Sequence, residues 1–386
     1  MNAVTRRKFE IAVEDEALTD LLRRVGAARL IDPIDPESSE DGTSLRLVRR
    51  LANRWTNGFD WRATEARLNR LPQFISRIDG LDVHYVHQRG VGPAPMPLIL
   101  THGWPGSFIE MERILPLLTD PAAHGGDPLD GFDVVVPSLP GYGFSQAPQS
   151  TGVSTRIIAG MWAGLMAGLG YDRYGAQGGD IGAGVSMWLA RQRPEALTGV
   201  HLNYIPSSFA PCIDAAVAPV TPDEQSFLDR VKAFAAEGGA YAALQATRPQ
   251  TLAYALSDSP IGLTAWMAEK FDAWSDHDGD VEAVIPLDTI ITNVSLYWFS
   301  GTIDASLRLY KENRLDPLAF APDERSAVPL GVAVFPRELP MPPRSWVERV
   351  FDVRRWSMMP KSGHFAALEQ PEALAEDIRA FFRPLR

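Results

Sequence analysis

The sequence predicts an α/β protein in which helices flank a mostly parallel sheet and a helical cap interrupts it. Over residues 91–205, strand-like runs such as PLILTHGW and FDVVVPSLPGYG alternate with helix-like runs. This alternation is typical of a parallel sheet covered on both faces. Over 206–317 the pattern changes to helices and loops rich in aromatic residues, and the strand and helix signals return over 318–386. We expect the inserted block to cover the carboxyl edge of the sheet, where open α/β sheets bind ligands. A separate helical domain is the less favoured alternative.

Residues 1–90 form an N-terminal segment that we expect to wrap the core. The stretches DEALTDLLRRV and GTSLRLVRRLANRW have the spacing of amphipathic helices, and residues 1–74 are predicted to be helical. In the following stretch, ISRIDGLDVHYVH, apolar and polar residues alternate on both sides of Asp79 and Gly80. This pair is typical of a two-residue hairpin turn.

Composition and charge exclude several classes of partner. The chain has 386 residues, of which 45% are hydrophobic and 22% are charged, and its net charge is −11. Nucleic acids and anionic membranes require clustered Lys and Arg, so we expect neither as a partner. The single cysteine, Cys212, excludes an internal disulfide and fits a reducing compartment.

No targeting or membrane-spanning segment is predicted. Acidic residues interrupt the first apolar stretch, so no secretory signal is expected. No apolar run approaches the roughly 18 residues that a membrane helix needs. We therefore expect a soluble, cytoplasmic protein. Its oligomeric state is left open, with a homodimer as one alternative.

The run AQGGDIGAG at 176–184 has the spacing of a nucleophile elbow, with Asp180 at the position of the nucleophile. Gly178 and Gly182 are small enough for a sharp turn from the strand before Asp180 to the helix after it. Taken alone, an Asp after two glycines is as typical of a turn or helix N-cap residue as of a nucleophile. The flanking strand and helix favour the elbow.

An aspartate nucleophile restricts the substrate class. A carboxylate is already ionised at neutral pH and needs no base to attack. Attack on an acyl carbon gives an anhydride, a poor intermediate for hydrolysis, whereas attack on a strained or activated sp³ carbon gives a stable alkyl ester. Epoxides and haloalkanes are such electrophiles.

Hydrolysis of an alkyl ester needs a base, and His364 is the candidate. It lies in KSGHFAALEQP, after the last predicted strand, where the chain order nucleophile–acid–histidine places the base. Glu338 in FPRELP is the favoured acid partner, with Asp352 as the rival. Of the other histidines, we expect His84 and His87 on the hairpin to be solvated. The same is expected of His124 and His277 in loops.

An oxyanion site is predicted at the turn THGWPGSF. The backbone N–H of Trp104 would join that of Ile181 to bind the tetrahedral intermediate at Asp180. His102, with Gly103 and Pro105, would shape this turn through hydrogen bonding and not through chemistry. A strand-end turn without a catalytic role is the alternative.

The choice between an epoxide and a halide depends on the proton donors. An opened epoxide needs a proton donor beside its oxygen, and a tyrosine is protonated at neutral pH. A halide favours weak N–H donors such as indoles. Tyr241 and Tyr310 in the predicted cap are the candidates, although a tyrosine in an aromatic-rich cap is more often a packing residue.

Motifs along nearly the whole chain resemble those of the α/β-hydrolase epoxide hydrolases, in the branch of the microsomal and juvenile-hormone enzymes and their soluble fungal and bacterial relatives. The motifs are HGWPGSF, PSLPGYGFS, GGDIG, YxxxQxTRPxT, RLYKEN, FPRE and GHFAALEQP, in family order, and residues 1–90 resemble the N-terminal region of that branch. The resemblance implies an α/β-hydrolase fold. It also implies Asp180 as the nucleophile, His364 as the base, Glu338 as its partner, and Tyr241 and Tyr310 as the ring-opening donors.

The resemblance has two limits. Haloalkane dehalogenases share the fold and the aspartate nucleophile but commonly place a Trp directly after it, whereas Ile181 follows Asp180 here. Microsomal members carry an N-terminal membrane anchor that we do not expect in this protein, so a membrane-bound role is not implied. We expect a cofactor-free, metal-free enzyme that acts on a hydrophobic epoxide with water. A dehalogenase and a non-catalytic binding protein are the alternatives.

Overall fold

The computed structural model describes residues 5–209, 219–321 and 324–386; Cys212 lies outside them. Within them, nine strands form one sheet in the order β1-β2-β3-β5-β4-β6-β7-β8-β9. The strands are β1 Arg6–Lys8, β2 Gln73–Ile78, β3 Leu81–Gln88, β4 Met96–Thr101, β5 Phe132–Pro137, β6 Tyr174–Gly178, β7 Leu197–Leu202, β8 Ser326–Val334 and β9 Phe351–Met358.

Helices cover the sheet and fill the interval between β7 and β8. They are α1 Asp15–Gly26, α2 Leu45–Thr56, α3 Trp61–Leu68, α4 Leu115–Thr119, α5 Thr155–Gly168, α6 Asp180–Gln192, α7 Pro222–Glu237, α8 Ala240–Thr247, α9 Pro249–Asp258, α10 Pro260–Trp274, α11 Leu287–Ser300, α12 Ile303–Leu315, α13 Arg344–Val347, α14 Ala366–Glu369 and α15 Pro371–Phe382. No helix in the described ranges is both long and apolar enough to cross a membrane.

The sheet is antiparallel at one end and parallel elsewhere. Strands β1, β2, β3 and β5 pair antiparallel, whereas β5, β4, β6, β7, β8 and β9 pair parallel. The prediction of helix throughout residues 1–74 was wrong at β1, which pairs with β2. Its three residues, RRK, are all exposed and show no apolar alternation, so the pattern carried no strand signal.

The predicted hairpin between β2 and β3 is present, but its histidines are not solvated. Asp79 and Gly80 have φ of 46° and 85°, the left-handed conformations that a tight hairpin turn needs. Strand β3 also pairs with β5, so His84 and His87 are buried inside the sheet. Burial lowers the pKa of His84 to about 3, and its ring bonds to Ser138 and Gln73. The prediction that both histidines are solvated was therefore wrong.

We call α7–α12 the cap helices; they fall within the stretch 206–317 that the sequence predicts as a cap. Ion pairs join them to the N-terminal segment. Arg54 on α2 makes two hydrogen bonds, of 2.6 and 2.7 Å, to Asp288 on α11. Arg50 on the same helix bonds to Asp280 at 2.9 Å. These ion pairs join the N-terminal segment to α11 and to the loop that precedes it.

Candidate active site

Asp180 stands on a strained turn between β6 and α6. Its φ is 47°, a left-handed value that non-glycine residues rarely adopt. A Cβ on Gly178 would lie 2.3 Å from backbone atoms of Gly182, and a Cβ on Gly182 would lie 1.9 Å from the carbonyl oxygen of Thr101. Neither position can hold a side chain, so the local sequence accounts for the sharp turn. The turn presents Asp180 at the carboxyl end of β6, beside the N-terminus of α6.

Three of the predicted residues form a connected line. Nε2 of His364 lies 3.5 Å from Oδ2 of Asp180, and Nδ1 of His364 lies 2.6 Å from Oε1 of Glu338. The side chains of His364 and Glu338 are 4% and 2% exposed. The rival acid, Asp352, instead pairs with Arg354 at 2.8 Å and is 42% exposed. The structure therefore brings Glu338, and not Asp352, to the imidazole.

The environment of His364 favours its charged form. Burial alone lowers the pKa of an imidazole, but the charge of Glu338 and the hydrogen bond to Asp180 outweigh burial, so the pKa of His364 lies well above 6.5. The backbone N–H of His364 donates to the carbonyl oxygen of Trp274 at 2.8 Å. The end of α10 thus fixes the loop that carries the histidine.

The turn after β4 supplies a hydrogen-bond donor to Asp180. The backbone N–H of Trp104 donates to Oδ1 of Asp180 at 2.8 Å. A Cβ on Gly103 would lie 2.2 Å from the same oxygen, so only glycine allows this approach. Ile181 is in the first turn of α6, where N–H groups have no partner within the helix. These contacts involve Oδ1 of Asp180, whereas Oδ2 faces His364.

The same turn is held from two directions. The ring of His102 bonds to the carbonyl oxygen of Gly103 at 3.1 Å and accepts from the backbone N–H of Leu139 at 3.3 Å. Nδ2 of Asn293 donates to the carbonyl oxygen of Pro105 at 2.7 Å. The Tyr297 hydroxyl donates to the carbonyl oxygen of the following residue, Gly106, at 2.6 Å. Helix α11 therefore clamps the turn that carries Trp104, a role that sequence reasoning missed.

A cavity of about 450 Å³ lies between Asp180 and the cap helices. Its lining is mostly apolar and includes Asp180, Ile181, Tyr204, Phe209, Phe234, Tyr241, Tyr310, Leu318 and Leu339. Tyr241 stacks on Trp104 with 5.6 Å between ring centroids, and Tyr310 meets Tyr241 edge to face at 5.9 Å. Burial raises the pKa of both phenols well above 10, so both are protonated over the neutral range.

A second, smaller cavity of about 20 Å³ is lined by Asp180, His364, Trp104 and Glu110, with Gln177 and Asn203. This volume suffices for one water molecule. Burial raises the pKa of Glu110 to about 8, the charge of His364 opposes the shift, and the charge of Asp180 adds to it. Sequence reasoning missed Glu110, since a glutamate in SFIEM gives no signal that it turns inward.

Comparison with known proteins places these residues in a family. Residues 6–111 match the family described as epoxide hydrolase N terminus, and residues 96–247 match the alpha/beta hydrolase fold. A relative from Stigmatella aurantiaca is 44% identical over 382 residues, which are 98% of this chain and 85% of that protein. Epoxide hydrolase 1 of Oryctolagus cuniculus is 36% identical over 400 residues, covering 97% of this chain and 88% of the rabbit protein. The chain belongs to the epoxide hydrolase family.

Solved structures agree with this membership. The structure of Aspergillus niger epoxide hydrolase matches with a TM-score of 0.86 and 33% identity, over 100% of this chain and 98% of that one. The predicted α/β-hydrolase fold and the family resemblance are therefore confirmed, and the protein is a hydrolase.

Proposed function

We propose that this protein hydrolyses a hydrophobic epoxide to a vicinal diol through a covalent ester on Asp180. The observation that carries the proposal is the position of the Asp180 carboxylate. It borders both an apolar cavity bearing two protonated phenols and a water-sized cavity bearing His364. The first arrangement suits ring opening, and the second suits hydrolysis of the resulting ester.

In the first step, Oδ2 of Asp180 attacks a ring carbon, while Oδ1 is held by the N–H of Trp104. The new O–C bond forms as the ring C–O bond breaks. Tyr241 and Tyr310 donate hydrogen bonds to the ring oxygen, which leaves as an alkoxide and takes a proton from one of the two phenols; solvent then reprotonates that phenol. The product of this step is a neutral hydroxyalkyl ester.

Ester formation prepares the base for the second step. The charge of Asp180, one of the groups that raise the pKa of His364, disappears when the ester forms. The pKa of His364 then falls, so the imidazolium releases its proton to solvent, and the neutral imidazole can take a proton from a water in the small cavity. Glu338 stabilises the imidazolium that results.

The attack of that water on Cγ of Asp180 gives a tetrahedral intermediate whose negative charge lies on Oδ1. The N–H groups of Trp104 and Ile181 stabilise this charge. Collapse of the intermediate breaks the Cγ–Oδ2 bond, so the diol leaves with the aspartate oxygen and takes a proton from His364. The carboxylic acid left at Asp180, which carries one oxygen from water, returns its proton to the imidazole, so the carboxylate and the imidazolium are both restored.

A haloalkane dehalogenase is the second candidate, and one observation favours it. Within the described ranges, the indole Nε1 of Trp104 is buried without a hydrogen-bond partner, and indole N–H groups suit a halide. The two phenols at the cavity, however, match the needs of an alkoxide and not those of a halide.

The test compares two substrates on the same enzyme. Styrene oxide is expected to give the diol, and 1-bromobutane is expected to release no bromide. The double variant Tyr241→Phe/Tyr310→Phe should slow diol formation by on the order of 10²-fold or more. Bromide release that survives loss of both hydroxyls would establish the dehalogenase. Turnover of neither substrate would contradict the proposed function.

A further inference from the structure

A buried lysine lies against one of the two phenols. Lys270, on α10, is only 3% exposed. Lysines are almost never buried to this degree unless they are paired. Its ammonium contacts the carboxylate of the adjacent Glu269. It also lies 4.3 Å from the ring centroid of Tyr241 and 5.4 Å from that of Trp274.

These contacts support a charged ammonium. Burial lowers the pKa of Lys270, and the hydrogen bond and charge of Glu269 oppose that shift. The faces of a phenol and an indole further stabilise a cation within about 6 Å of the ring centroid. The pair with Glu269 and the two rings thus account for a cation at this depth.

The positive charge of Lys270 lies beside the phenol of Tyr241, which we propose as a donor to the epoxide oxygen. Burial raises the pKa of Tyr241, and negative charge on Asp180 and Glu269 raises it further. The neighbouring phenols of Tyr204 and Tyr310 also face it. A cation over the ring has the opposite effect, because it favours negative charge on the phenol oxygen and strengthens the O–H as a donor.

We propose that Lys270 is a positioning residue that acts through Tyr241, strengthening that phenol as the donor to the epoxide oxygen during ring opening. The inference rests on the function proposed above. It assigns Lys270 to the first half-reaction, in which negative charge develops on the ring oxygen. Hydrolysis of the ester places its charge on Asp180 instead, on the side of Trp104 and His364, and does not need the lysine.

The test separates the two half-reactions in Lys270→Met, which keeps the length of the side chain and removes its charge. Enzyme is mixed with styrene oxide, quenched with acid, and the Asp180 ester is quantified by mass over time. Ester formation should slow by about 10- to 30-fold, the effect of losing a desolvated cation–π contact. Ester hydrolysis should change by less than about twofold.

Two further variants make the result specific. Lys270→Arg keeps a cation over the ring and should recover most of the rate of ester formation. If Lys270→Met does not fold, Lys270→Gln compared with Lys270→Arg gives the same contrast between a neutral and a charged side chain.

Three results would overturn the proposal: an unchanged rate of ester formation in Lys270→Met, an equal slowing of both half-reactions, or no recovery in Lys270→Arg. The time course of ester formation in the wild-type enzyme distinguishes this failure from failure of the proposed function. If the wild-type enzyme forms no ester, both the proposed function and the role of Lys270 are contradicted. If it forms the ester and the lysine variants do so equally fast, only the role of Lys270 is contradicted.

Discussion

Nε2 of His364 lies 3.5 Å from Oδ2 of Asp180, so the proposed base touches the proposed nucleophile before any substrate binds. This contact links the two half-reactions. In the free enzyme the carboxylate stabilises the imidazolium, and in the ester that stabilisation is absent. The nucleophile thereby controls when its neighbour can act as a base.

The first prediction concerns this coupling. Asp180→Asn removes the negative charge and imitates the neutral ester, so the pKa of His364 should fall relative to the wild-type enzyme. Titration of ¹⁵N-labelled histidine by NMR measures it. Asp352→Asn, which changes a partly exposed carboxylate paired with Arg354, is the matched control and should leave the pKa unchanged. Equal pKa values in Asp180→Asn and the wild type would contradict the coupling.

The second prediction tests which acid supports the histidine. Glu338→Gln should slow ester hydrolysis by on the order of 10²-fold, because the imidazolium loses the carboxylate at its Nδ1. The Asp180 ester should then accumulate and be visible in the mass of the intact enzyme. Asp352→Asn should turn over like the wild type. Slow ester hydrolysis in Asp352→Asn, together with an unchanged rate in Glu338→Gln, would instead assign the support of His364 to Asp352.

The third prediction concerns the clamp on the oxyanion turn. Tyr297→Phe removes the donor to the carbonyl oxygen of Gly106 and leaves that buried group unpaired, so the N–H of Trp104 is held less firmly. Ester hydrolysis should slow by about 5- to 10-fold, the effect of roughly 1 kcal/mol.

Tyr85→Phe is the matched control for the clamp. Tyr85 is also a buried phenol, and its hydroxyl hydrogen-bonds to that of Ser76 on β2, outside the turn. It should therefore affect stability and not the rate of hydrolysis. Equal effects of the two variants on that rate would show that the clamp has no special role.

The fourth prediction uses the raised pKa of Glu110. Its pKa is about 8 in the fold against an ordinary value of 4.5, so the folded state binds more protons than the unfolded chain between these pH values. Ionisation of Glu110 therefore destabilises the fold as the pH rises from about 4.5 to 8.

Glu110→Gln removes this penalty. The stability of the variant relative to the wild type should increase over that interval, by up to about 5 kcal/mol, and then level off. Urea unfolding of both proteins at pH 5, 7 and 9 measures the difference. A difference that does not vary with pH would show that Glu110 does not carry the raised pKa.

Sequence reasoning succeeded where the signal is local. The elbow at Asp180 follows from glycines two residues away on each side, and the hairpin turn follows from Asp79 and Gly80. A second signal is not local: the order of Asp180, Glu338 and His364 along the chain predicts that their side chains lie together.

Sequence reasoning failed where the function of a residue depends on distant partners. Lys270 and Tyr297 act on residues more than 25 positions away in the chain, and nothing in EKF or LYW marks them. The hairpin sequence predicts an exposed His84, whereas pairing of β3 with β5 buries it. Glu110 acquires its pKa from a cavity formed by four separate segments.

The most direct test of the account is a single turnover in ¹⁸O-labelled water, with enzyme in excess over styrene oxide and mass analysis of the diol. An ester at Asp180 gives an unlabelled diol and a label in the carboxylate of Asp180, because the added oxygen comes from the protein and is replaced from water. A labelled diol from the first turnover would mean that water attacks the ring directly. Asp180 would then not be the nucleophile.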